Sequence, residues 1–161
     1  MIGYRKFFLA AVALLVMSLP TSAEQTCRQV SSNVTDIGPP LAGPAMCGDY
    51  DWCQYADVRG TINGRWWAYW DAEDEVYLWE DENITSLAIN IDDVFETNNG
   101  DINAKEHGIT NFDAFGSYAA SIAVTGGTGM YEDATGWMTG TLTFGKKAGG
   151  TLAGEICWSG D

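Results

Sequence analysis

A single histidine, His107, and eight basic residues against 22 acidic ones make this 161-residue chain poor in cations. One histidine cannot supply the partners of a Ser-His-Asp set and is a weak fourth ligand for zinc beside cysteines. The formal charge of −14 excludes nucleic acid and anionic membranes as partners, because both carry the same sign. Long apolar runs are also scarce. The one continuous stretch, Phe7–Val16, is short for a membrane span, and no later segment is long and apolar enough, so no membrane insertion is expected. The sequence has no CxxC pair, and no run longer than about one turn reads as an amphipathic helix.

What the N-terminus does hold is a three-part export pattern. Arg5 and Lys6 precede the apolar stretch, and Pro20-Thr21-Ser22-Ala23 gives a small-residue exit. Residues 1–23 therefore read as a signal peptide cleaved after Ala23, with a secreted or periplasmic destination, the alternative being an uncleaved anchor. Cys27 lies beyond the cut and is no lipid carrier there. The chain from Glu24 to Asp161 has 138 residues, enough for one domain with a core, and loses two of its eight cations, leaving a charge of −16. Asn33-Val-Thr35 and Asn83-Ile-Thr85 have the form of glycosylation acceptors.

All four cysteines fall after the cut, and an even count in an exported chain argues for two disulfides. Of three pairings, Cys47–Cys53 suits a local clip and Cys27–Cys157 a tie between the termini, which fits a closed sheet whose first and last strands are neighbours. Pairing leaves no thiol nucleophile. Zinc is the rival use of these residues, and the spacings argue against it, so no metal and no cofactor are expected.

Ser31 to Gly48 contains Pro39, Pro40 and Pro44 and reads as an irregular arm. Residues 24–53 are accordingly taken as an N-terminal proline-rich arm with a disulfide clip, and 54–161 as the folded body. Short β-type runs follow: Ala56–Ile62 and Arg65–Trp70 around an Asn63-Gly64 hairpin signature, then Val76–Trp79 and Ile84–Ile91. In the last, Thr85, Leu87, Ile89 and Ile91 should face the core. Val94–Thr97 and Ile102–Lys105 flank an Asn98-Asn99-Gly100-Asp101 turn, and Tyr118–Thr125, Gly136–Phe144 and Thr151–Cys157 complete the set. Nineteen glycines and strands at this spacing point to an all-β sandwich or barrel.

Residues Ile122 to Gly136, with Gly126, Gly127, Thr128, Gly129, Tyr131, Ala134 and Gly136, resemble the signature of the allene oxide cyclase and dirigent-protein barrels, in which a strand runs into Gly-Gly-Thr-Gly, an aromatic and an Ala-x-Gly step. The likeness extends from about Val94 to Cys157. The motif is not a phosphate loop, since no Lys-Ser/Thr or helix follows it. The resemblance implies a closed antiparallel β-barrel of about eight strands, wide enough for side chains or one small ligand. It also implies dimers or trimers, and cyclisation of an unstable epoxide, control of phenol coupling, or ring closure in natural products. It transfers no catalytic residue to this chain.

The aromatic cluster Trp66, Trp67, Tyr69, Trp70 is the most unusual local feature; Trp66 and Trp70 share one face of a strand, Trp67 and Tyr69 the other. One set can line a barrel and stack on a ligand, and the other can pack under the arm. Arg59 and Arg65 are scarce cations that could orient a carboxylate ligand, or pair on the surface. Tyr118 could donate a proton if it faces the lumen. His107 is placed in an exposed hairpin turn. The runs Asp71–Glu75, Glu80–Glu82 and Asp92-Asp93 read as a solvated acidic face, with Ca²⁺ binding as the alternative. Two readings of function result. In the first, the barrel holds a small hydrophobic molecule and acts as a cofactor-free cyclase or isomerase. The second is a non-catalytic exported interaction module or a carbohydrate-binding module. The first requires a cavity with converging polar groups, the second a filled core or coplanar tryptophans outside.

Overall fold

The computed structural model describes residues 25–112, 116–144 and 148–159; the signal-peptide reading of residues 1–23 lies outside them. Ten strands form: β1 (Gln25–Thr35), β2 (Leu41–Ala42), β3 (Trp52–Gly60), β4 (Gly64–Trp70), β5 (Glu75–Glu80), β6 (Asn83–Thr97), β7 (Gly100–Asn111), β8 (Ser117–Gly127), β9 (Thr135–Thr143) and β10 (Gly149–Ser159). Eight of them close antiparallel in the circular order β1-β10-β9-β8-β7-β6-β4-β3, with β3 returning to β1. The expected eight-stranded barrel is therefore present. β5 pairs only with the outer half of β6, and β2 caps the end of β3.

The barrel begins earlier than the sequence reading placed it. Gln25–Thr35 is a full stave of the wall, paired with β10 on one side and β3 on the other, where the sequence predicts part of the arm. Its inward side is Val30, Ser32 and Val34, all buried, while its outward side is polar. That half-polar alternation hides a strand among serines and asparagines. The irregular arm is shorter, running over the proline segment with a single helical turn at Pro44–Cys47.

The β3–β4 hairpin also differs from expectation. Its loop is Thr61–Asn63, because Ile62 turns into the core and its amide donates to the buried Ser32 hydroxyl at 2.9 Å. Gly64 is instead required by close approach: an added Cβ would lie 1.9 Å from the Glu96 carbonyl. Val94–Thr97 is not separate from Ile84–Ile91. They are one strand of 15 residues, because Asp92-Asp93 continues the alternation rather than breaking it.

Both disulfides form as paired from the sequence. Cys27 and Cys157 face each other across β1 and β10 with Cα atoms 4.0 Å apart, and Cys47–Cys53 clips the arm. Two bridges mark an oxidising compartment. Among the described residues no helix is long and apolar enough to cross a membrane.

The glycine motif ends β8 and starts β9. Gly129 adopts φ 58° to open a short 3-10 turn that carries Tyr131 against Trp158, ring centroids 5.5 Å apart. Gly136 has φ 145° and its backbone lies where any Cβ would meet the Glu155 carbonyl at 2.2 Å. The motif thus closes one pole of the barrel and stands at the opposite end from the cavity described next.

Candidate functional site

The barrel is packed at the motif pole by Phe95, Ile102, Ile122, Met138 and Leu152, each at most 1% exposed. Toward the other pole the inward residues become small. Ala56, Ala68, Ala104, Gly108, Ala120 and Gly140 leave room for Trp66, Trp70 and Tyr118, and for a cavity of about 310 Å³. That volume is at the lower end of small-molecule sites. Its walls are mainly Trp66, Ala68, Trp70, Leu87, Ile89, Ile91, Leu142 and Phe144.

One carboxyl group, that of Glu106, borders this mainly apolar space, and a second, that of Asp93, stands behind it. Asp93 on β6 and Glu106 on β7 are each 1% exposed, and among the described residues no lysine or arginine lines the cavity. The Trp66 indole N–H donates to Asp93 Oδ1 at 2.8 Å, and its ring stacks on Phe95 with centroids 6.0 Å apart. The Tyr118 hydroxyl donates to Glu106 Oε1. Asp93 Oδ2 and Glu106 Oε2 remain, both inaccessible to solvent and reached by no N–H or O–H. Two buried carboxylates side by side would leave those oxygens unpaired and repelling. One proton held between the groups satisfies both.

The electrostatics agree. Burial raises Asp93 well above the usual carboxylate range, and the neighbouring charge of Glu106 raises it further. Burial also raises Glu106, opposed by the hydrogen bonds it accepts from Tyr118 and Asp93. Tyr118 is held neutral by its own burial and by Glu106. Both shifts favour a proton kept within the pair, Asp93 the donor and Glu106 the acceptor, with Tyr118 donating to Glu106 as well. Chemically this is a base kept dry and steadied by two hydroxyl donors, one of them the proton that Asp93 holds behind it.

Gly108 makes the arrangement possible. A Cβ there would sit 1.8 Å from the Tyr118 hydroxyl oxygen. Gly108→Ala is therefore expected to push the phenol off Glu106. The tyrosine ultraviolet difference spectrum of that variant should report a more exposed phenol at unchanged far-ultraviolet circular dichroism; an unaltered spectrum would show that the contact tolerates the methyl.

The residues singled out from the sequence divide between inside and outside. Trp66, Trp70 and Tyr118 face the lumen, and Trp70 donates its indole N–H to Glu75 Oε1 at 3.0 Å. Trp67 and Tyr69 are half-buried on the outer wall in a ladder with Tyr55 and Tyr50, next to the arm. Arg59 and Arg65 are not lumen cations. Both lie on the outer face with Asp57, at 3.6 and 3.7 Å, because they share its strand parity and pairing register, and Arg65 also covers the Tyr55 ring. His107 sits mid-strand on the outside of β7 rather than in a turn, its Nδ1 2.6 Å from the Asn90 side-chain oxygen. Asp93 departs from the solvated acidic face expected of it, whereas Asp92 beside it points out and pairs with Lys105. Reasoning from the sequence missed Glu106 altogether, although Ile102, Ala104, Glu106 and Gly108 keep one parity and mark it as inward.

Comparisons with known proteins leave the site to be read from its geometry: no family model, no curated protein and no solved structure matches the chain.

Proposed function

We propose that the chain is an exported barrel that binds one small hydrophobic molecule in its lumen and isomerises or cyclises it by moving a proton through Glu106, without a cofactor. The observation that carries this reading is the buried Asp93–Glu106 pair, each carboxyl with one oxygen that no N–H or O–H reaches, with Glu106 bordering a mainly apolar cavity. A barrel filled only by its own side chains gains nothing from two carboxyls placed there, since burying them costs several kcal/mol, on the order of what a hydrogen-bonded partner returns. Binding would strip water from ligand and base together and hold one reactive conformer. Glu106 would take a proton from the substrate, Tyr118 would steady the carboxylate, and Asp93 would tune it. The resemblance of residues 122–136 to the cyclase and dirigent barrels supports the same reading, as does the export pattern ending at Ala23.

Native mass spectrometry of the oxidised protein tests it. One small apolar molecule per barrel is expected in wild type, lost in Ala68→Leu, whose added methyls project into the cavity. An empty wild-type barrel that takes up no neutral apolar dye would sink the reading.

A further inference from the structure

The charge of the lumen restricts what it can hold. With one proton on the pair, the floor carries a single negative charge at 1% exposure, in a lining that is mainly apolar and aromatic, with Gln54 and Thr110 its neutral polar members. Each carboxyl has one hydrogen-bonded oxygen, to Trp66 or Tyr118, and the described lining offers no cation to balance the charge. Glu106 itself borders the cavity, whereas Asp93 stands behind it. An anionic ligand would be pushed against a like charge in a low-dielectric space. A neutral ligand would leave the charge uncompensated. A monocation would neutralise it, and the faces of Trp66, Trp70, Tyr118 and Phe144 are the surfaces on which a cation rests well. The chain's formal charge of −14 adds a field that draws cations toward the mouth.

We propose that the lumen takes a lipophilic amine, its protonated nitrogen hydrogen-bonded to Glu106 and its apolar body packed against Trp66, Trp70 and Phe144. This rests on the lumen being the ligand site of the preceding section, and it names the chemical class that site selects. The nitrogen supplies the counter-charge that Glu106 lacks among the described lining residues, and the aromatic walls replace the water it leaves.

The test is a matched series: phenethylamine, 2-phenylethanol and phenylacetate, titrated into the oxidised protein at 0.3 M salt and followed by tryptophan fluorescence and calorimetry. Salt at that level screens attraction to the exposed acidic surface more than a contact in the lumen. The amine is expected to bind at least about ten-fold more tightly than the alcohol, as a charge-assisted hydrogen bond would give, with the carboxylate weakest. Glu106→Gln should remove the advantage of the amine over the alcohol. Alcohol binding that equals or exceeds amine binding would overturn the amine proposal while leaving the lumen as a ligand site. An amine preference that survives Glu106→Gln would also overturn it, by placing the amine on the surface. If neither these compounds nor a neutral apolar dye enters, the proposal and the reading it rests on fail together.

Discussion

Replacing the two lumen carboxyls by their amides, Asp93→Asn with Glu106→Gln, is expected to flatten the pH dependence of folding stability. Burial raises both groups, and the charge of Glu106 raises Asp93 further. The folded chain therefore holds protons that the unfolded chain has released once the pH exceeds the usual carboxylate value of about 4. Stability from the pair is fully present below that value. It falls as pH rises through the window between the unfolded and folded values, by up to about 1.4 kcal/mol per pH unit for each proton. Tyr118 stays neutral throughout, and Asp92, which points outward beside Lys105, adds the smallest of the upward pushes on Asp93. Repulsion across the acidic surface relaxes equally in both proteins on acidification, so the difference between them isolates the pair. Urea unfolding at pH 5, 7 and 9 should show the double amide gaining on wild type as the pH rises. Parallel profiles would mean that the pair ionises as freely as surface carboxylates. Asp93→Leu alone is expected to cost about 2–4 kcal/mol at neutral pH, because it strips the acceptor from Trp66 Nε1 and the donor from Glu106.

The second large effect concerns the seam of the barrel. β1 and β10 are the first and last strands, and Cys27–Cys157 locks their register across a separation of 130 residues. In the chain-entropy description, closing a loop of that length constrains the unfolded state by about 5 kcal/mol, against about 2 kcal/mol for a clip as short as Cys47–Cys53. Cys27→Ser with Cys157→Ser should lower stability by about 3–5 kcal/mol, with fast amide exchange spreading along β1. Cys47→Ser with Cys53→Ser should cost less and leave the barrel amides protected. Equal losses from the two would show that the bridges act through local packing instead of closure.

These two features were unequally legible in the sequence. The disulfides followed from an even cysteine count in an exported chain, the all-β class from parity and punctuation, and the count of eight strands from what the resemblance implies: Leu87, Ile89 and Ile91 keep one face, and a turn at Asn98-Asn99 joins β6 to β7. The site did not follow, although its parts were visible. Asp93 continues the inward parity of Ile89 and Ile91 and precedes Phe95, yet a pair of aspartates reads as surface when composition is weighed before phase. What no single strand discloses is the partner. Asp93 and Glu106 meet only through the β6–β7 register, in which Asp93 opposes Ala104 and Glu106 opposes Ile91, and Tyr118 reaches them only because Gly108 yields the space. Arg59 and Arg65 attracted notice by scarcity, but parity with Asp57 sends them outward. β1 escaped because its outward half is polar and its inward half includes a serine.

The claim on which site, chemistry and ligand class all depend is that the lumen pair shares one proton at neutral pH. Infrared spectroscopy of the oxidised protein at pH 7 reads it directly. A carbonyl band from a protonated carboxylic acid, shifted by exchange into D₂O and absent from Asp93→Asn, is the expected result. A wild-type spectrum at pH 7 that contains only ionised carboxylate bands would contradict the account.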